Sequence, residues 1–497
     1  MDILLSIPFL IFFPLITSLF LLSPLFTNNE ILIRRFAKSI FGAEFVYTIL
    51  LYLFFSPANP YEANLSICGL DWIQSIGVRF LFEIDSIRMI LVILTAFIFL
   101  IAAFASKLHI RKNHKFYYSM LLLLQSAILG IFTANDMFVF FMFWELELIP
   151  AYFLIGNDWG SISSSKTSGA KNAAMKFVIF TFAGSMFMLL GMLLLHYFNY
   201  VSTGILTAKY SDLNVSNIPL SIQILISICF VLGFGVKLPI VPLHTWLPDA
   251  HTEAPTPISI ILAGILLKTG AYGLFMYNFI ILKDSFEILV PYLVIFALIN
   301  IIFTAFVAFA QTDIKRIVAY SSISNMGLIL LGLCACNSIG IEASIFHIVA
   351  HALITAGLFE ICGIVYLRCK TRDINSIGGI AKNLPRLFGF ATIIVLASIG
   401  IPAFAPFISE ILTIIAAMTS EMSEVLKFAA VFSLPLLILS SCYMLKFLHS
   451  AFMGEQGEKF ENINDISMHE FIILAMITFG LVLFGLFPNT ILNMVNF

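Results

Sequence analysis

Eight ionisable residues lie inside long apolar runs, where a charge costs most. Glu145 and Glu147 sit in Phe-Met-Phe-Trp-Glu-Leu-Glu-Leu-Ile-Pro, Lys237 in Gly-Phe-Gly-Val-Lys-Leu-Pro, and Lys268 in Ala-Gly-Ile-Leu-Leu-Lys-Thr-Gly. His347, His351 and Glu360 share one run, and Glu410 lies in the next. One such charge at mid-bilayer costs about 2.5–3.5 kcal/mol on insertion scales. Five would cost on the order of 12–17 kcal/mol, comparable to the stability of a whole domain. Pairing among these groups and internal water must offset that cost. Lysine, histidine and carboxylate held together in such surroundings are the parts of a proton relay or ion channel.

Each residue also has a purely structural reading. A cation near a helix end can snorkel to the headgroups. That reading fits Arg88, near the start of an apolar run, and Glu44 is placed near an interface in the same way. It fits Lys237 and Lys268 less well, because apolar residues flank both. Glu145 and Glu147 are two apart, about 200° around a regular helix, so one face cannot carry both. One is expected on an internal path, and the other against a neighbouring helix or subunit. His347 and His351 are one turn apart on one face, which suits a relay or a carbonyl-bonded pair. A metal site is disfavoured, since no third ligand lies at a usual spacing.

These residues need membrane-spanning elements to hold them. The chain has 497 residues, is 60% hydrophobic and only 11% charged, against about 25% charged in ordinary soluble domains. Its mean hydropathy is +1.03. This balance excludes a soluble fold, disorder, collagen, a coiled coil and a secreted disulfide scaffold. The net charge of −2 gives no nucleic-acid footprint. The seven cysteines are scattered and form no C-x2-C ligand set. No Walker loop occurs, and Gly233-Phe-Gly235 lacks the third glycine of a dinucleotide fingerprint. Neither a metal site nor a cofactor site is therefore expected in this chain.

A span needs about 20 apolar residues. By that measure the spans fall near 3–23, 37–56, 84–105, 116–134, 137–156, 173–199, 220–242, 255–280, 288–310, 317–334, 343–367, 387–418, 428–448 and 471–493. The expected fold is an all-α polytopic membrane protein of about fourteen helices. The first run lacks a basic region and a cleavage site, so it reads as a span. The polar stretch 449–470 has room for a short surface helix. The loops after odd-numbered spans and their flanks hold nineteen of the 26 Lys and Arg residues. The positive-inside rule puts those loops in the cytoplasm or its organellar equivalent, with both termini outside.

Pro239 and Pro242 follow Lys237, and Pro402 and Pro406 precede Glu410. Each proline lacks an N–H and so frees a helix carbonyl. The seventh and twelfth spans are therefore expected to be broken, each beside an ionisable residue. Five spans separate them, so spans 4–8 and 9–13 would form two inverted repeats, the mark of secondary transporters. The chain divides into 1–115 (spans 1–3), 116–280 and 281–450 (the two repeats), and 451–497 (an acidic segment and the last span).

Several stretches resemble the antiporter-like membrane subunits of respiratory complex I, of the chain 4 or subunit M type. They are Phe-Trp-Glu-Leu-Glu-Leu-Ile-Pro at 143–150 and Lys-Leu-Pro-Ile-Val-Pro-Leu-His-Thr-Trp-Leu-Pro-Asp-Ala-His at 237–251. Glu-Ala-Pro-Thr-Pro-Ile-Ser and Leu-Ala-Gly-Ile-Leu-Leu-Lys-Thr-Gly-Ala-Tyr-Gly-Leu follow within 253–274. Asp313-Ile-Lys-Arg, Val349-Ala-His-Ala-Leu-Ile-Thr-Ala-Gly and Thr371-Arg-Asp continue the match, which runs in order over about 80–497. The Trp-Glu-Leu-Glu-Leu-Ile-Pro wording is closest to the photosynthetic type of cyanobacteria and plastids.

The resemblance implies proton translocation coupled to quinone reduction. NADH or another donor, FMN, Fe-S clusters and quinone would be bound by other subunits, and the partners would be neighbouring membrane-arm subunits and the lipid bilayer. It implies a bacterial plasma or thylakoid membrane, or an organellar inner membrane. It assigns Glu145 as partner of the central Lys237, Lys268 as the next relay lysine, His351 as the connecting histidine and Glu410 as the exit carboxylate. His347 and Asn325 are further candidate members, and Glu147 receives no role. Asn325 stands where the family usually has His, and it can hold a water but not carry a proton. Multisubunit cation/proton antiporters share the Phe346-His347 feature, but carry Lys where this chain has Thr355. A sodium/proton antiporter subunit without redox coupling is the alternative function, and a scaffold role for the buried charges is a third.

Overall fold

A computed structural model describes residues 7–24, 26, 28–54, 67–159, 167–454 and 463–495. Lys166 and Lys459, counted above as loop cations, and the stretch 455–462 lie outside the described residues. Twelve helices among the described residues are long and apolar enough to cross a membrane. They are α2 (Glu30–Phe54), α3 (Ser86–His109), α4 (His114–Thr133), the interrupted helix α5 (Met137–Leu146) with α6 (Leu148–Gly156), α7 (Thr167–Thr203) and α8 (Leu220–Lys237). After a short α9 (Trp246–Glu253) come α10 (Thr256–Ile281), α11 (Lys283–Ala310), α12 (Ile314–Cys334) and α13 (Ser338–Cys369). The last two are α16 (Glu424–Phe452) and α17 (Met468–Leu486).

Three further apolar helices are shorter: α1 (Ile7–Leu22), α14 (Pro385–Ser398) and α15 (Ala405–Thr419). The last two occupy the single segment 387–418 expected above. A terminal α18 (Asn489–Val495) closes the chain.

The apolar stretches of α10 and α13 are wholly buried. A helix that is apolar all round belongs inside a bundle, and these two carry Lys268, His347 and His351. By contrast, α7, α11 and α16 leave more than half of their apolar stretch facing outward.

Contacts tie the basic loops together on one face. Lys115 donates to the Ser23 carbonyl at 2.8 Å, Arg111 N to Trp159 O at 2.9 Å, and Ile314 N to Arg372 O at 3.0 Å. On the opposite face, between the second and third expected spans, lies a hairpin, with β1 (Ile67–Ile73) antiparallel to β2 (Val78–Phe82). Its turn needs Gly77, at φ +67°, where an added Cβ would press on the Leu206 carbonyl. Asn135 N donates to Leu81 O at 2.8 Å and Met137 N to Ala208 O at 3.0 Å, so the hairpin and the 204–212 loop cover this face over α4 and α5.

Candidate functional site

The site begins where α5 stops. Asp136 caps α5, accepting from the Phe138 and Val139 N–H groups. Pro150 has no N–H to offer the Leu146 carbonyl, and the helix is interrupted at Glu147 before α6 resumes. Glu147 is fully buried and ion-paired with Lys237 Nζ. The Trp144 ring lies 3.7 Å from the same ammonium, a cation–π contact. This differs from the expected partner. Glu145, which the family resemblance placed against Lys237, is half-buried, with Oε1 enclosed and without a hydrogen-bond partner among the described residues. Its field still reaches Lys237, but the direct ion pair belongs to Glu147.

Lys237 ends α8, and residues 238–245 are unwound before α9. The loose backbone is satisfied by protein. Ile240 N bonds Gly235 O at 2.8 Å, Trp246 Nε1 donates to Val236 O at 2.9 Å, and Asn300 of α11 grips both Val241 N and Pro239 O. Irregular backbone at membrane depth persists only where such partners or water exist. Helix α10 crosses this break closely. A Cβ on Gly270 would stand 2.7 Å from Leu238 N and 3.0 Å from Lys237 Cβ, so glycine permits the close approach of α10 to the break.

Within α10, π-helical turns at Leu262–Leu266 and Leu274–Ile281 flank the α-helical turn carrying Lys268. Such turns recur at functional sites because they free backbone acceptors. Lys268 Nζ bonds the Ala263 carbonyl and His351 Nδ1, the latter at 2.8 Å. With Lys268 donating, Nδ1 is the acceptor and the ring proton sits on Nε2. The His351 and His347 rings lie 6.1 Å apart and nearly parallel. His347 Nδ1 meets Ser409 Oγ at 2.8 Å, and Ser409 directly precedes Glu410. Glu410 is buried, and its Oε2 has no hydrogen-bond partner among the described residues. Residues 399–404 break the chain between α14 and α15, as the prolines predicted. Gly400, at φ +80°, lies against the Glu410 carboxylate, where a Cβ would collide.

The structure thus joins Lys268 to His351 directly, and His347 to Ser409, whose hydroxyl also bonds the Pro406 carbonyl and makes no hydrogen bond to Glu410 among the described residues. Asn325 bonds back to the Ser321 carbonyl at 2.8 Å, and no hydrogen bond among the described residues links it to His347, His351 or Glu410. Glu360 is fully buried on another face of α13, with both oxygens unpartnered among the described residues. Glu44 lies in the middle of α2 and is buried, not interfacial as expected. Arg88 does not snorkel either. It is 3% exposed and engaged with Asp85, Glu83 and Tyr272. Glu147, Trp144 and Ser409 are the site residues that sequence reasoning left without roles.

Residues 134–436 match the family model described as "NADH:quinone oxidoreductase/Mrp antiporter, TM". The chain is 34% identical over 496 residues to the NAD(P)H-quinone oxidoreductase chain 4 of Acaryochloris marina, covering 97% of this chain and 89% of that one. It is 34% identical over 426 residues to NADH-quinone oxidoreductase subunit M of Escherichia coli K12, covering 85% and 82% respectively. A chain of respiratory complex I from Thermus thermophilus superposes with a TM-score of 0.85 at 24% identity, over 99% of this chain and 98% of that one. A chain of the Mrp complex from Dietzia does so equally, with a TM-score of 0.85 at 19% identity, over 100% and 96%.

Proposed function

Since the chain belongs to the membrane-subunit family shared by NADH:quinone oxidoreductases and Mrp antiporters, we propose that it is the antiporter-like proton-carrying subunit of a complex I type assembly. In this reading it belongs to the translocase class. It moves protons across the membrane while other subunits, holding FMN, Fe-S clusters and quinone, carry the electrons. Neighbouring antiporter-like subunits flank it in the membrane arm. The segments α1 and α14–α15 complete fourteen spans, and the basic loops face the side from which protons are drawn.

The observation that carries this reading is the buried set of pairs Glu147–Lys237, Lys268–His351 and His347–Ser409, with Glu410 buried next in sequence to Ser409. Burial disfavours the charge on a lysine, and a nearby carboxylate restores it. With Glu147 against Lys237, the ammonium is held. When Glu147 withdraws, Lys237 releases its proton toward Lys268, and the proton passes by His351 and His347 to Glu410. Glu145, close by but unpaired, is the second carboxylate that can receive Lys237 or load Glu147. Each 100 mV of membrane potential opposes one charge by about 2.3 kcal/mol, so the shift driven by quinone reduction must exceed that.

The Mrp superposition favours a second reading, cation/proton exchange without redox chemistry. Against it, curated relatives that match at 33–37% identity over most of this chain are quinone oxidoreductase subunits. Native electrophoresis of gently solubilised source membranes, followed by mass spectrometry of the band, separates the two. Co-migrating flavin and iron–sulfur subunits, with sodium-independent pumping on quinone addition, support the redox-coupled reading. A band of antiporter subunits alone, with sodium-dependent exchange, overturns it.

A further inference from the structure

The relay lysines have a neighbour on the hairpin-covered face that no proton step uses. Tyr272 lies one turn beyond Lys268 on the same face of α10. Its hydroxyl accepts from Arg88 Nε at 2.9 Å and donates to the Phe132 carbonyl at 3.3 Å. Arg88 in turn donates from Nη1 to the Glu83 carbonyl at 3.2 Å, and it pairs with Asp85 at 3.3 Å and Glu83 at 3.8 Å. Asp85 and Glu83 are 42% and 22% exposed, while Arg88 is buried. Moving inward from this face, a proton would meet two partly exposed carboxylates, then a guanidinium, then Tyr272, then Lys268.

We propose that Arg88 is a fixed-cation barrier that closes the hairpin-covered side of the lysines to protons. This rests on the proton-translocating function proposed above, and adds the device that keeps it one-way. Three properties carry it. A guanidinium does not deprotonate in proteins, so it cannot pass a proton on. Its charge repels a proton approaching from the acidic side, as arginines in selective pores do. And the Tyr272 hydroxyl is locked, its proton committed to a carbonyl and an acceptor site occupied by an Arg88 N–H, so it cannot hop a proton either. The rings of Phe132 and Phe140 pack against the Tyr272 ring, with centroids 5.4 and 6.5 Å from its own. The barrier leaves Glu410 as the way out.

The test uses the whole complex in proteoliposomes containing a trapped pH dye. Passive proton entry is driven by an imposed potassium potential, and quinone-driven pumping is measured in parallel. Arg88→Gln is expected to raise passive leak roughly tenfold and lower the protons moved per quinone. Arg88→Lys, which keeps a cation but one that can release its proton when buried, should leak more than wild type and less than Arg88→Gln. Tyr272→Phe alone should pump and stay tight. Added to Arg88→Gln, it should suppress the leak by removing the hydroxyl that would then conduct. Arg88→Gln liposomes as tight and as well coupled as wild type would overturn the barrier while leaving the pumping reading intact. So would Tyr272→Phe that abolishes pumping, or a leak in the double variant equal to that of Arg88→Gln. Should Arg88→Gln not assemble, the Arg88→Lys and Tyr272→Phe results still decide. Wild-type liposomes that move no protons with quinone would sink the functional reading itself, whatever the passive leak.

Discussion

Lys237 and Glu410 each stand beside a proline-broken helix, yet the two regions are built of different materials. Around Lys237 the walls are aromatic. Trp144 and Phe234 lie 5.4 Å apart, Phe140 and Phe234 6.1 Å, and Phe234 and Tyr277 5.4 Å. The first residues of that break, Leu238 and Ile240, are buried. Around Glu410 the same helix offers hydroxyls and the break offers backbone. Ser409 bonds the Pro406 carbonyl, Thr413 the Ser409 carbonyl, and Gly400 lies against the Glu410 carboxylate. Its break, Ile401 to Ala403, is exposed on the chain's surface. A dry aromatic wall strengthens an ion pair and holds its proton. A wall of hydroxyls accepts water and lets a proton go. The difference suggests a division of labour, with storage and control at the lysines and release at the glutamate.

That contrast can be broken most forcefully at its ion pair. Glu147→Gln leaves Lys237 as an uncompensated cation among aromatic rings, a change that costs about 3–5 kcal/mol for buried pairs. Coupled pumping is expected to fall by about tenfold or more, whereas Glu145→Gln should lower it only a few-fold. Initial rates of quinone-driven acidification in vesicles check this. Equal losses would return the pairing role to Glu145.

A second test asks whether the two walls differ in water access. In a background lacking the exposed Cys442, Thr413→Cys should react with a membrane-impermeant thiol reagent about tenfold faster than Phe140→Cys. Comparable rates would erase the distinction. At the junction of the regions, Ser409→Ala removes the hydroxyl that meets His347 Nδ1 and should slow pumping a few-fold without harming assembly. A wild-type rate would show that His347 does not depend on it.

The smallest effect is expected at Asp136, outside the spans. Burial pushes its carboxyl up, against backbone N–H bonds from Arg79, Val139 and Phe138 that pull it down. Because the folded value is raised, its contribution to stability is full in acid and is lost as pH rises through that value. Asp136→Asn keeps a capping oxygen, so the melting temperature of the solubilised complex should stay near wild type in acid and fall less as pH rises. An identical pH slope in both proteins would contradict this.

The sequence revealed what depends on local chemistry. Ionisable residues in apolar runs marked the groups that the structure buries, and Pro239, Pro242, Pro402 and Pro406 marked both breaks. It hid what depends on distant contacts. Arg88 and Tyr272 are 184 residues apart, so the burial of Arg88 could not be read from its position near a helix start. Ser409 meets His347 across 62 residues. Glu147 was hidden differently. The 200° argument put only one of the two carboxylates on the internal side and left open which; the motif resemblance named Glu145, and the structure buries Glu147. The hairpin was missed because its segment was read only for its lack of a span.

The central claim is that protons cross through Lys237, and one variant tests it directly. Lys237→Met removes the titratable group and keeps an apolar stem of similar length. Protons moved per quinone reduced would be measured in sealed vesicles holding equal amounts of assembled complex. The account predicts assembly and continued quinone reduction, with the proton yield lowered by this subunit's share. Wild-type stoichiometry in that variant would contradict it, and loss of assembly with normal stoichiometry in the residual complex would favour a scaffold.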